Sequence, residues 1–121
     1  ELHAVHAWPL PLAVPVLPEL EVPAQSRIDV VEHERAARAR FEAALAALEL
    51  AVKPTQHLAC GAPSVAIQEL VEKVGAGLLV MGSVSRGGIA GLLLGNTAER
   101  LLDRVSCSLL TIKPRDFVSP V

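Results

Sequence analysis

The segment from Gly82 to Thr97 concentrates groups suited to holding an anion rather than to breaking a bond. Gly82 follows the apolar run Leu78 to Met81, and its missing Cβ lets backbone N–H groups come close to a ligand. Arg86 adds a permanent positive charge and a fork of donors. Gly95, Asn96 and Thr97 stand where a helix begins, and the first N–H groups of a helix have no partner within it and favour a phosphate. The candidate binding set is therefore Met81, Gly82, Ser83, Ser85, Arg86, Gly95, Asn96 and Thr97. Asn96 has a second reading as a plain N-cap, since Glu99 three residues on completes a capping box.

Other chemistry-bearing residues are dispersed. His3 and His6 fall on opposite faces of a strand and so form no ligand pair, and His33 and His57 read as isolated structural histidines. Ser83 and Ser85 have no base near them in sequence, and no paired acid and base stands out. Neither a metal site nor a catalytic residue is expected, although slow hydrolysis of a bound phosphate is compatible with an anion site. Cys60 and Cys107 are too few for a disulfide framework, lack zinc-ligand spacing, and read as small buried apolar groups.

The elements that must position the candidate set alternate along the chain. Leu2 to Trp8 reads as a strand covered on both faces, and five prolines between Pro9 and Pro23 rule out a helix there. The spacing of Ala37, Phe41, Ala44, Leu45 and Leu48 predicts a helix over Asp29 to Leu50, with Ser26 or Asp29 as N-cap and Glu34 one turn ahead of Arg38. Gln56 to Cys60 reads as a second strand. Pro63 opens a helix carrying Ile67, Leu70, Val71 and Val74 on one stripe, and Gly75 ends it. A continuous apolar strand at Leu78 to Met81 precedes the glycine-bearing loop. The pattern then predicts a helix from Asn96 through Val105, with Ala98, Leu101, Leu102 and Val105 inward, and a last strand at Ser108 to Lys113, stopped by Pro114. Strands alternating with helices imply a doubly wound, mostly parallel α/β sheet, Rossmann-like, in which ligands bind beyond the carboxyl ends of the strands.

Composition narrows the function classes. With 51% hydrophobic and 20% charged residues in 121, the chain should fold as one domain or most of one. A net charge of −2, with acidic and basic residues interspersed, provides no field for a nucleic-acid backbone or an anionic membrane. No secretory pattern or membrane-spanning apolar run is present, so the expected compartment is the cytoplasm.

The stretch LLVMGSVSRGGIAGLLLGNTAERLLDRVSCSLLTIKP, from Leu78 to Pro114, resembles the closing third of universal stress proteins. ELHAVHAW resembles the family's second strand, and HLACGAPSVAIQELVEKVGAGLLVMGS its third strand, third helix and fourth strand. The GNTAE form at Gly95 to Glu99 is most like members in which two such domains share one chain. The resemblance implies that residues 1–121 are an incomplete domain, the C-terminal part of a longer chain, without the family's first strand and first helix. It also implies a stress-response regulatory or protective module with a site for ATP or AMP, and a homodimer or paired-domain contact through Ser108 to Lys113. The alternative is a dimerising scaffold of the same fold that binds no nucleotide.

Nucleotide-binding members carry Gly, two residues, Gly, nine residues, Gly, then Ser or Thr. Here Gly82 and Gly95 match, whereas Ser85 stands at the second glycine and Asn96 at the final Ser or Thr. If the second position needs positive φ, Ser85 costs about 1–2 kcal/mol there. Gly87 or Gly88 offers another route for the loop. The family's adenosine-contacting aspartate belongs to the first strand and has no counterpart in these residues.

Overall fold

The computed structural model describes residues 1–9, 24–83 and 95–115. The elements are β1 (His3–Trp8), α1 (Ala24–Ala46), β2 (Thr55–Cys60), α2 (Pro63–Val74), β3 (Leu78–Gly82), α3 (Asn96–Leu102) and β4 (Ser108–Ile112). The fold is α/β with parallel strands, as the alternation of periods implies. The chain divides into two compact units, Glu1–Pro63 and Ser64–Val121.

In the first unit β1 pairs with β2 in parallel, from His3 opposite Thr55 to Trp8 opposite Cys60. The Thr55 N–H donates to the Leu2 carbonyl and the Gly61 N–H to the Trp8 carbonyl, which extends the ladder at both ends. Trp8 is buried, while the rest of β1 is half-buried. That is less cover than expected of an interior strand, and among the described residues β1 has a strand partner on one edge only.

Helix α1 begins at Ala24, so neither Ser26 nor Asp29 is its N-cap. The helix also stops at Ala46 and not Leu50; the Leu48 N–H donates to the Leu45 carbonyl at 3.1 Å, tightening the last turn. Leu48 and Leu50 are exposed and gain no burial by continuing it. Of the expected stripe, Ala37 is buried and Phe41 and Leu45 are half-buried, whereas Ala44 is exposed. Phe41 meets His6 of β1 with ring centroids 5.8 Å apart, seating the helix on the strand. Glu34 accepts from Arg38 at 3.3 Å on the exposed side, a pair worth about 0.2–0.5 kcal/mol.

In the second unit α2 runs over the predicted residues, with Val71 buried and Ile67, Leu70 and Val74 half-buried on its stripe. Gly75 takes φ +63°, the Ala76 N–H donates to the Val71 carbonyl at 3.0 Å and the Gly75 N–H to Glu72 at 3.4 Å. These two bonds form a Schellman cap. A Cβ on Gly75 would meet no atom within 4 Å, so the cost of a side chain there is conformational alone. Gly75→Ala should therefore lower stability by about 1 kcal/mol, read as a shift of the urea midpoint at constant slope; an unchanged midpoint would mean that this turn is not held in the left-handed region.

Strands β3 and β4 pair in parallel, Leu78 opposite Ser108 through Gly82 opposite Ile112. Leu78 and Val80 of β3 are exposed, and Leu110 and Ile112 of β4 share that exposed face. Nothing among the described residues covers it. The opposite face carries Leu79, Met81, Leu109 and Thr111, all half-buried.

Helix α3 ends at Leu102 and not at Val105, because the Arg104 and Val105 N–H groups both turn back to the Leu101 carbonyl at 3.0 Å. Ala98 and Leu101 are buried and Val105 is half-buried, so these three form its inner stripe. Leu102, expected inward, is 53% exposed because it sits one residue off that stripe.

Candidate site at the end of the third strand

The candidate set gathers where β3 ends. Parallel pairing carries Gly82 to the level of Ile112, and the next residue leaves the ladder in an ordered way. The Ser83 N–H donates to the Ile112 carbonyl at 3.0 Å, and the Ser83 carbonyl accepts from the Gly95 N–H. Ser83 thus ties the ends of both strands to the residue that opens α3. Through that bond Met81, Gly82 and Ser83 are brought beside Gly95, Asn96 and Thr97. Ser85 and Arg86 lie outside the described residues.

Helix α3 starts differently from the capping-box expectation. Its N-cap is Gly95, in extended conformation with φ −72° and ψ 152°, and no side chain caps it. The Gly95 carbonyl accepts the first helical bond, from the Glu99 N–H at 3.0 Å. Asn96 is then the first helical residue, exposed, and not the N-cap. The Ser83 bond to the Gly95 N–H fixes the chain one residue earlier than side-chain capping by Asn96 would require. Thr97 and Met81 are half-buried beside this turn.

Two local features suit a ligand. A Cβ built on Gly82 meets no described atom within 4 Å, so protein packing does not account for a glycine at this exposed position. Ser83 is 1% exposed and its Oγ has no hydrogen-bond partner, although buried hydroxyls nearly always have one. The arrangement can present backbone donors to a polar group. Among the described residues it holds no base within reach of a nucleophile.

Cys60, expected to be buried, is exposed at the end of β2, where the following Gly61 offers no side chain to cover it; Cys107 is half-buried. The histidines also differ from the reading of them as unrelated. His3 Nδ1 lies 3.0 Å from His57 Nε2, with ring centroids 5.2 Å apart and planes at 36°. The signal for this pair is the β1–β2 register, which sets Val5 opposite His57 and so places His3 diagonal to it on one face. Periodicity within either strand does not contain that information.

Among the described residues no helix is long and apolar enough to cross a membrane. Comparison with known proteins places the chain in a recognisable group. The model of the Universal stress protein family matches residues 1–113. The chain is 35% identical over 124 residues to Universal stress protein E of Escherichia coli K12, covering all of this chain and 37% of that protein. It is 34% identical over 124 residues to Universal stress protein E of Salmonella typhi, covering all of this chain and 38% of that protein. The chain therefore spans a little over a third of the length of these relatives. Among solved structures, protein PA1789 of Pseudomonas aeruginosa PAO1 aligns with a TM-score of 0.65 at 29% identity, over 95% of this chain and 35% of that one. Hypothetical protein MJ0577 aligns with a TM-score of 0.73 at 19% identity, over 93% of this chain and 75% of that one, a likeness of fold.

Proposed function

This chain belongs to the universal stress protein family, and from that premise we propose that it is a stress-response regulatory or protective module, not an enzyme, with a weak site for ATP or AMP. The single observation that supports a ligand at this place is the Ser83 junction, which joins Gly82 to Gly95 and Asn96 and leaves both an uncrowded glycine and an unpartnered hydroxyl. The site is weak because Ser85 and Asn96 replace motif residues, and because the aspartate expected from the family's first strand is not among these residues. A cytoplasmic location goes with this reading.

The second reading, a dimerising scaffold without nucleotide, draws on the exposed apolar face of β3 and β4. In it the module pairs with a second copy or a second domain of the same kind through the segment Ser108 to Lys113, and the Gly82 to Thr97 loop serves only to shape the chain. Nucleic acid and membrane are not partners in either reading.

Mass spectrometry of the native polypeptide after denaturation, combined with calorimetry against ATP and AMP, separates the two. Released adenine nucleotide or measurable affinity supports the first reading; none at millimolar nucleotide supports the scaffold. Ser85→Gly is expected to tighten ATP binding by about five- to thirtyfold, the equivalent of the 1–2 kcal/mol conformational cost. Low-micromolar affinity in the unmodified polypeptide, unchanged by Ser85→Gly, would overturn the assignment of the weakness to Ser85.

A further inference from the structure

We propose that His3 and His57 form a two-imidazole site for a borderline divalent cation of the Zn²⁺ class. The two rings project from adjacent, hydrogen-bonded strands, so the positions of their Cα atoms are set by the parallel ladder and not by a loop. Their facing nitrogens, His3 Nδ1 and His57 Nε2, are 3.0 Å apart. Without a cation one ring must donate a proton to the other, since two lone pairs at that separation repel. An ion about 2.0–2.1 Å from each nitrogen fits the same spacing, because zinc–imidazole bonds have that length and two of them span more than the gap. The cation takes the place of the shared proton once both rings turn to aim their lone pairs at it instead of at each other.

The far side of His3 supports that exchange. Glu1 Oε1 lies 3.8 Å from His3 Nε2. A carboxylate there favours the tautomer with its proton on Nε2, which leaves the Nδ1 lone pair free for an ion. At that distance the carboxylate acts through its charge and not through a hydrogen bond. His3 keeps 23% of its side chain exposed, enough for an ion and its water to arrive.

The donor chemistry selects the ion. Two imidazole nitrogens suit Zn²⁺ and its neighbours, whereas Ca²⁺ and Mg²⁺ require oxygen donors. Among the described residues no group of three or more His, Cys, Asp or Glu side chains is arranged around one ion. Among the described residues the remaining positions are open to water or to an incoming ligand. The junction at Ser83 uses neither histidine.

The test is Zn²⁺ titration of the native polypeptide by calorimetry, with Co²⁺ absorption as a second probe. His3→Gln and His57→Gln should each weaken binding at least tenfold, and His6→Gln, whose ring faces Phe41, less than twofold. Nuclear magnetic resonance of the unmodified polypeptide provides a readout that survives any folding defect in the variants. Zn²⁺ should shift the ring signals of His3 and His57 together and leave those of His6 in place. Affinity unchanged within twofold in His57→Gln, or His3 and His57 signals unmoved at saturating Zn²⁺, would overturn the proposal.

Discussion

Residues 1–121 expressed by themselves should associate or aggregate and give no sharp monomeric melt, whereas a longer polypeptide that supplies a further strand should melt cooperatively. The reason lies in unfinished sheet surface. Leu78, Val80, Leu110 and Ile112 are 50–55% exposed on one face of the β3–β4 pair. Fully burying such a side chain contributes roughly 1.5–3 kcal/mol, so four half-covered ones forgo on the order of 3–6 kcal/mol. That is a large part of the roughly 5–15 kcal/mol that holds a whole domain together.

The backbone points the same way. Among the described residues β1 pairs only with β2 and β3 only with β4, so each two-stranded sheet has unpaired edges. A two-stranded sheet is marginal in water, and open edges recruit other chains. A further strand added to either pair would cover one of its open edges, and the family resemblance implies such a first strand. Light scattering and calorimetry on the two lengths decide the matter. A cooperative melt of monomeric 1–121 near ordinary domain temperatures would refute the expectation.

Leu101→Ala should cost about 2–5 kcal/mol, the range for emptying a well-packed leucine site. Leu101 is 0% exposed, and with Ala98 at 1% it forms the buried stripe of α3. Its carbonyl also receives the Arg104 and Val105 N–H groups, but the alanine variant keeps those bonds. The loss is therefore one of side-chain packing. Leu102→Ala is the contrast: that side chain is 53% exposed, and its truncation should cost less than about 1 kcal/mol. Urea unfolding of both variants in the native polypeptide measures the difference, and equal losses would mean that the inner stripe of α3 has been misplaced. Because α3 carries Gly95 at its head, loosening Leu101 should also weaken whatever the Ser83 junction binds.

The sequence alone was sufficient for the order of elements and the parallel α/β class, since short apolar runs, period-3.6 stripes and proline or glycine stops are local signals. Gly75 shows this at its clearest: a glycine after an apolar helical stripe reads as a left-handed cap and has φ +63°. The motif glycines and the neighbourhood of Gly82 with Asn96 were legible for the same reason, because their spacing lies within one stretch of chain. Local signals failed where a competing partner was distant. Asn96 is an excellent N-cap by type, yet the carbonyl of Ser83 engages the Gly95 N–H and moves the cap one residue earlier. Leu102 is as apolar as Leu101, and only the packing around α3 separates the buried one from the exposed one. The meeting of His3 with His57 depended wholly on tertiary structure, since two residues 54 positions apart become neighbours only through the register of two paired strands.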